Sequence, residues 1–81
     1  MQKNNNNLQE RFLLRACKTR AHVTLFLMNG YQIRGQIVGY DSFVVVVMSD
    51  SRQQVIYKHA ISTIAPERPI PLEEEDPDLE L

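Results

Sequence analysis

Three adjacent polar side chains, Tyr57, Lys58 and His59, place a phenol, an ammonium and an imidazole in a row. They interrupt an otherwise apolar stretch, with the pair VI before them and the run AISTI after them. Two interpretations are open. The three residues either form a solvated turn between two strands, or they face a ligand that needs hydrogen-bond donors and a positive charge.

Catalysis and metal binding have little support in the same sequence. Cys17 is the single cysteine, so there is no disulfide and no cysteine spacing of a metal site, and a reducing compartment is indicated. Cys17 and His59 are the candidate nucleophile and base, but nothing orients them as a third group orients a catalytic triad. We therefore predict a protein that is not an enzyme and needs no cofactor.

The charges are strongly segregated along the chain. Residues 1–66 contain eight basic and three acidic residues, a net charge of +5, although the whole chain has a net charge of -1. Seven of the ten acidic residues lie in the last fifteen positions: Glu67, Glu73, Glu74, Glu75, Asp76, Asp78 and Glu80. A basic body favours a polyanionic partner. The acidic tail either keeps the domain soluble or competes with that partner, and composition leaves both open.

The length of 81 residues limits the chain to one small domain. Residues 1–6 and 66–81 are too polar, or too rich in proline and acid, to be expected in a core. A domain of the remaining size buries only ~60% of its unfolded surface, so we expect it to gain stability by oligomerisation. No apolar run is long enough to span a membrane, and a cytoplasmic protein is predicted.

Local patterns predict one helix followed by five short strands. Asn7 and Glu10 resemble a capping box, and apolar residues at helical spacing follow over 8–18. The period then changes to two, and Asn29-Gly30 indicates a tight turn. The predicted strands are 21–28, 31–40, 43–48, 53–58 and 60–64. Gly35 and Gly39 inside the second strand predict strong bending, and the fold class is therefore mainly β, with an N-terminal helix on an open barrel.

Three segments together resemble the Hfq family of bacterial Sm-like RNA chaperones. They are LQERFL at 8–13, LFLMNGYQIRGQIVGYDSFVVV at 25–46 and VIYKHAISTI at 55–64. The resemblance implies an Sm-like strongly bent five-stranded antiparallel barrel that assembles as a homohexameric ring. It divides the chain into a disordered N-terminus (1–6), an Sm-like RNA-binding domain (7–65) and a disordered acidic tail (66–81).

The resemblance also implies partners and a function. The partners are single-stranded RNAs, namely small regulatory RNAs and messengers, and further proteins of RNA turnover, with no role for a membrane. The ring would hold uridine-rich RNA on a proximal face and adenine-rich RNA on a distal face, and would promote the pairing of the two RNAs. The alternative is a related ring in RNA processing or turnover that does not anneal RNAs.

By the same resemblance, specific residues are assigned to three surfaces. The proximal set, which lines the pore, is Gln9, Ser42, Phe43, Tyr57, Lys58 and His59. The distal set is Phe26, Leu27, Asn29, Gly30, Tyr31, Gln32, Ile33, Arg34, Gln54 and Thr63. The rim set is Arg15, Lys18 and Arg20, near the end of the helix.

Departures from the family pattern on all three surfaces alter these expectations. On the proximal surface, Ser42 stands where glutamine is common, and serine reaches less far. Gln32 stands where lysine is common and Arg34 where glutamine is common, which changes one adenine-reading group. The rim sequence Cys17-Lys18-Thr19-Arg20 has fewer basic residues than the arginine-rich run of well-known members. Because each neutralised phosphate adds to affinity, weaker rim binding is expected.

Overall fold

The structure, a computed structural model, describes residues 7–72. One helix is followed by five strands and a one-turn 3-10 helix at Lys58–Ala60. The elements are α1 Leu8–Thr19, β1 His22–Leu27, β2 Gln32–Tyr40, β3 Val44–Ser49, β4 Arg52–Tyr57 and β5 Ile61–Pro66. The predicted N-terminal and tail segments 1–6 and 73–81 lie outside the described residues.

Helix α1 begins where its sequence predicts. The Asn7 side chain accepts a hydrogen bond from the Glu10 backbone N–H at 2.8 Å, which satisfies one unpaired donor of the first turn. Leu13 and Ala16 are the buried residues of the helix, and Phe12 packs beside them. Leu8, predicted on the same apolar face, is instead 59% exposed. The last turn ends at Arg20, whose left-handed φ of 54° turns the chain into β1.

All five strands form one antiparallel sheet in the order β4-β3-β2-β1-β5. The pairing shifts register at two places, between Phe26 and Leu27 in β1 and between Ile37 and Gly39 in β2. Such irregularities bend strands and increase their twist. Gly35 is required for close approach, because a Cβ there would overlap the Met48 carbonyl oxygen and lie 2.9 Å from Val47 Cγ1.

The core lies between α1 and the concave side of this bent sheet. Besides the two buried helix residues it contains Val23, Leu25, Ile37, Val45, Val47 and Ile56, all 7% exposed or less. The alternation in β1 puts Val23 and Leu25 inward, as the period of two predicted. In β3, Val45 and Val47 alternate in the same way. Strand order leaves β4 and β5 as the two edges, although they are consecutive in sequence.

The packed part of the chain extends beyond the predicted boundary at residue 65. Pro66 pairs with Val23, and the Glu67 N–H donates to the His22 carbonyl at 2.9 Å. Ile70 packs against the core, and Arg11 Nη1 donates to the Leu72 carbonyl at 3.0 Å. Residues 66–72 therefore contact the barrel and the helix, whereas the predicted tail began at Pro66.

Candidate nucleic-acid interface

The loop between β2 and β3 presents an aromatic ring on a fixed backbone. Asp41 Oδ1 accepts hydrogen bonds from the N–H groups of Phe43 at 2.8 Å and Val44 at 2.9 Å. These two donors, followed by the Lys58 charge, lower the pKa of the Asp41 carboxyl, while desolvation opposes them. The Phe43 carbonyl in turn accepts from the Lys58 N–H at 2.8 Å. The Phe43 side chain is left 74% exposed, so its π-face is accessible for stacking.

The Tyr57-Lys58-His59 row forms the end of β4 and the 3-10 turn before β5. The rings of Tyr57 and His59 stack with centroids 5.8 Å apart and planes 22° from parallel. Lys58 Nζ lies 6.0 Å from the ring centroid of Tyr40, a phenol whose pKa is raised mainly by burial and further by Glu10 and Cys17. The row is a turn, and Tyr57 and His59 are exposed on it, so a ligand can reach them.

A groove of about 370 Å³ brings the start of the helix to the same place. It runs between α1 and the edge strand β5, and Gln9 and Lys58 both line it. The proximal set is thus assembled from three distant segments: the helix start, the 41–43 loop and the turn at 57–59. Leu72 also lines this groove and was not predicted, because its segment had been assigned to the tail.

The distal set is built mainly from the hairpin between β1 and β2. Gly30 has a φ of 94°, and the Asn29 side chain accepts from the Tyr31 N–H at 3.0 Å, so the turn is the predicted one. Tyr31 is 68% exposed at its exit. Five residues of the set line one hollow of about 430 Å³, which we call the distal hollow: Tyr31, Gln32, Ile33, Arg34 and Gln54. Sequence reasoning missed Arg52, which lines it too.

The other members of the distal set are placed differently. Leu27 is half-buried and packs against the core, so its side chain is structural. Phe26 pairs with Thr63 across β1 and β5, and Phe26 lines a neighbouring hollow together with Arg34. Thr63 lines the groove of Gln9 and Lys58 instead of the distal hollow.

Only two of the three rim residues line a common hollow. Arg15 and Arg20 line a hollow of about 520 Å³, called the rim hollow below, whereas Lys18 is exposed at the end of α1 and does not line it. Two unpredicted residues, His22 from β1 and Arg68 from the segment after β5, also line this hollow, and so does the carboxylate Glu67. Arg68 was missed because its stretch was read as an unpacked tail.

Neither a metal centre nor a membrane span is indicated within the described chain. Among residues 7–72, no three histidine, cysteine, aspartate or glutamate side chains are grouped as metal ligands would be. The described helices include none with the length and hydropathy needed to cross a bilayer. Cys17 is a half-buried free thiol in α1.

Sequence comparisons give consistent relatives. The Hfq protein family model matches residues 8–71. The RNA-binding protein Hfq of Clostridium perfringens is 56% identical over 70 residues, which cover 86% of this chain and 88% of that protein. The RNA-binding protein Hfq of Bacillus subtilis is 51% identical over 67 residues, 83% of this chain and 92% of that protein.

Solved structures give the same fold. A crystal structure of the pleiotropic translational regulator Hfq superposes with a TM-score of 0.72 at 42% identity, covering 73% of this chain and 98% of that one. An Hfq protein from Anabaena sp. superposes with a TM-score of 0.68 at 32% identity, covering 73% and 95%. The helix followed by a bent five-stranded antiparallel sheet is therefore an Sm-like fold.

Proposed function

This chain belongs to the Hfq family, and from that premise we propose that it is a cytoplasmic RNA chaperone. It binds single-stranded RNA and promotes the pairing of small regulatory RNAs with messengers. It acts by binding, without catalysis and without a cofactor.

The observation that carries this proposal is the exposed Phe43 ring on a loop that is hydrogen-bonded to the backbone of Lys58. An aromatic side chain that is 74% exposed contributes little to the core, and here its loop is fixed by the Asp41 carboxylate. An exposed ring on one loop and a lysine in the turn bonded to that loop suit a nucleotide, because the base can stack while the phosphate or ribose accepts from the cation. Gln9, across the groove from Lys58, adds an amide for a uracil carbonyl or a ribose hydroxyl.

A second surface supports adenine-rich binding on the other face. Tyr31 offers a ring for stacking, and Gln32, Arg34 and Gln54 offer amide and guanidinium groups around the same distal hollow. Amide side chains suit adenine edges, which present both a donor and an acceptor. Arg34 supplies donors only, so we expect this face to accept purines more broadly than adenine alone.

The sheet edges support assembly into a ring, and six subunits are what the family implies. On β4, Val55 and Tyr57 are 58% and 56% exposed although they pair with apolar Val46 and Val44 of β3. On β5, the outer side borders the apolar groove of Leu8, Phe12 and Ile61. Bare edges invite strand pairing, and joining β4 of one copy to β5 of the next would cover both in a closed ring.

Native mass spectrometry tests the assembly and the RNA partner together. We expect a hexamer that binds oligo-U and oligo-A simultaneously, because the two sites lie on different faces. A folded RNA-binding monomer would contradict the ring, and mutually exclusive binding would contradict the two faces.

Annealing is tested separately with two complementary RNAs, one uridine-rich and one adenine-rich. The hexamer should accelerate their pairing, and the acceleration should fall with salt because phosphate contacts release counterions. Tight binding without any acceleration would support the alternative, a ring of RNA processing or turnover.

A further inference from the structure

His22, the first residue of β1, lies where three surface hollows meet. It lines the rim hollow together with Arg20 and Arg68. It also lines a hollow of about 390 Å³ against β5 and another of about 280 Å³ against β3. Both of these contain Arg34, which belongs to the distal hollow as well. A continuous path therefore runs over the outer surface from Arg20, across His22, to Arg34.

Strand register explains why His22 and Arg34 are neighbours. His22 pairs with Gln36, and Thr24 pairs with Arg34. Because side chains alternate along a strand, all four lie on the same face of the sheet. His22 and Arg34 are diagonal cross-strand neighbours, about 7–8 Å apart at the backbone, which long side chains span.

One amide contacts the imidazole on this face. Gln36 Nε2 donates to the Arg20 carbonyl at 3.0 Å and lies 3.5 Å from His22 Nε2. This amide connects the end of the helix, the start of β1 and the middle of β2. His22 is thus exposed but positioned, which lowers the entropy cost of using it as a ligand contact.

Basic and acidic side chains both line the path, and His22 lies between them. Arg15, Arg20 and Arg68 line its rim end, and Arg34 and Arg52 line its distal end. Carboxylates line the path too: Glu67 lines the rim hollow and the hollow against β5, and Asp50 lines the distal hollow and the hollow against β3. Where the hollows meet, the imidazole of His22 adds a hydrogen-bond donor for a phosphate group beside these carboxylates.

We propose that His22 joins the rim hollow to the distal hollow, so that the phosphodiester backbone of one RNA strand continues from the distal face over His22 to the rim. The contact is to the sugar–phosphate chain and reads no base. It rests on the proposed function, because it requires that the distal face bind RNA. A ring whose rim has few basic residues would in this way bind, at its rim, a strand that its distal face already holds.

The test compares a short oligo-A with the same oligo-A extended by an abasic segment at either end. The measured quantity is the extension gain, the ratio of the two dissociation constants from fluorescence anisotropy. We expect a clear gain for the wild-type hexamer at one of the two ends. His22→Glu should abolish the gain and lower the salt slope for the extended RNA by about one phosphate contact, whereas His22→Arg should preserve it.

Short oligo-A and a matched variant provide the controls. His22→Glu should leave the affinity for short oligo-A within about twofold, well below the tenfold that 1.4 kcal/mol represents. Gln53→Glu makes the same charge change at an exposed residue of β4 that lines none of the four hollows along the path, and should leave the extension gain intact. Native mass spectra of all variants check that the hexamer is retained.

Four results would overturn the proposal. An unchanged gain in His22→Glu would show that the strand does not pass this residue. An equal loss for short and extended RNA in that variant would assign His22 a structural role. A wild-type ring that binds short oligo-A but shows no gain would refute the path and leave the proposed function standing, whereas a ring that binds no RNA would refute both.

Discussion

The proximal and distal surfaces are built in different ways from the same chain. The distal surface comes largely from one hairpin, Phe26 to Arg34, whose turn is fixed by Asn29 and Gly30. The proximal surface comes from three segments, represented by Gln9, Phe43 and Lys58, that meet only in the folded chain. A surface made by one hairpin depends on local turn chemistry, whereas one made by three segments depends on the whole barrel. Some substitutions should therefore weaken RNA binding at one surface only, and others at both.

The largest effect is expected where both surfaces share a support, at Gly35. An alanine there would drive its Cβ into the Met48 carbonyl oxygen and the Val47 side chain, so β2 and β3 must separate. We expect Gly35→Ala to lower the free energy of unfolding by about 3 kcal/mol and to weaken both oligo-U and oligo-A binding.

Gly39→Ala is the matched control for that substitution, because its Cβ would meet only Val46 Cβ, at 4.0 Å. Thermal unfolding followed by circular dichroism compares the two variants. Equal stability of both would show that the close approach at Gly35 does not limit the fold.

The next largest effect should be a loss of RNA binding at one surface only. Phe43→Ala removes the exposed ring from the fixed loop and should weaken oligo-U binding by about thirtyfold, since base–aromatic stacking contributes ~2 kcal/mol. Oligo-A binding should stay nearly unchanged. Lys58→Ala should act in the same direction through the lost cation.

Leu14→Ala is the control, since it truncates another exposed apolar residue, on α1, outside both surfaces. Fluorescence anisotropy with each RNA measures the outcome. Equal losses for oligo-U and oligo-A in Phe43→Ala would refute the assignment of the two surfaces to different RNAs.

A smaller loss is expected on the distal surface from Tyr31→Ala. We expect oligo-A binding to fall about fivefold, near the ~1 kcal/mol lower end of stacking, because six further polar side chains share the distal hollow. Oligo-U binding should not change. If oligo-U suffers instead, the hairpin belongs to the proximal surface.

The smallest effect concerns the hydrogen bonds that fix the loop of Phe43. Asp41→Ala removes the acceptor of the Phe43 and Val44 N–H groups, so oligo-U binding should weaken a few-fold while oligo-A binding is retained.

The same residue predicts a pH dependence. Since folding lowers the pKa of Asp41, its stabilising effect is complete above the unfolded pKa of about 4 and is lost as the pH falls through the lowered folded value. The difference in melting temperature between wild type and Asp41→Ala should thus be constant from neutral pH to about pH 5 and shrink below pH 4. A difference that grows on acidification would contradict this account.

Much of the fold could be predicted because its signals are local. The Asn7 cap, the alternation in β1 and the Asn29-Gly30 turn each involve residues within a few positions, and the structure has all three. The strand bounds differ by only a few residues. The segment after Pro66 was misjudged, since its prolines and charges indicate an unpacked tail, while one apolar residue, Ile70, attaches it to the core.

The sequence by itself determined the helix, the five strands, the turn types and the identity of the groups available for binding, because each depends on neighbouring residues and on side-chain chemistry. Only the tertiary structure decided which groups meet. The register of β1 with β2 and β5 places His22 between Arg20 and Arg34 and brings Arg68 to the rim. Lys58 and Gln9 line the same groove because the 3-10 turn carries the chain from one sheet edge to the other. Such contacts join residues far apart in sequence, and their geometry is set by long-range packing that no local pattern records.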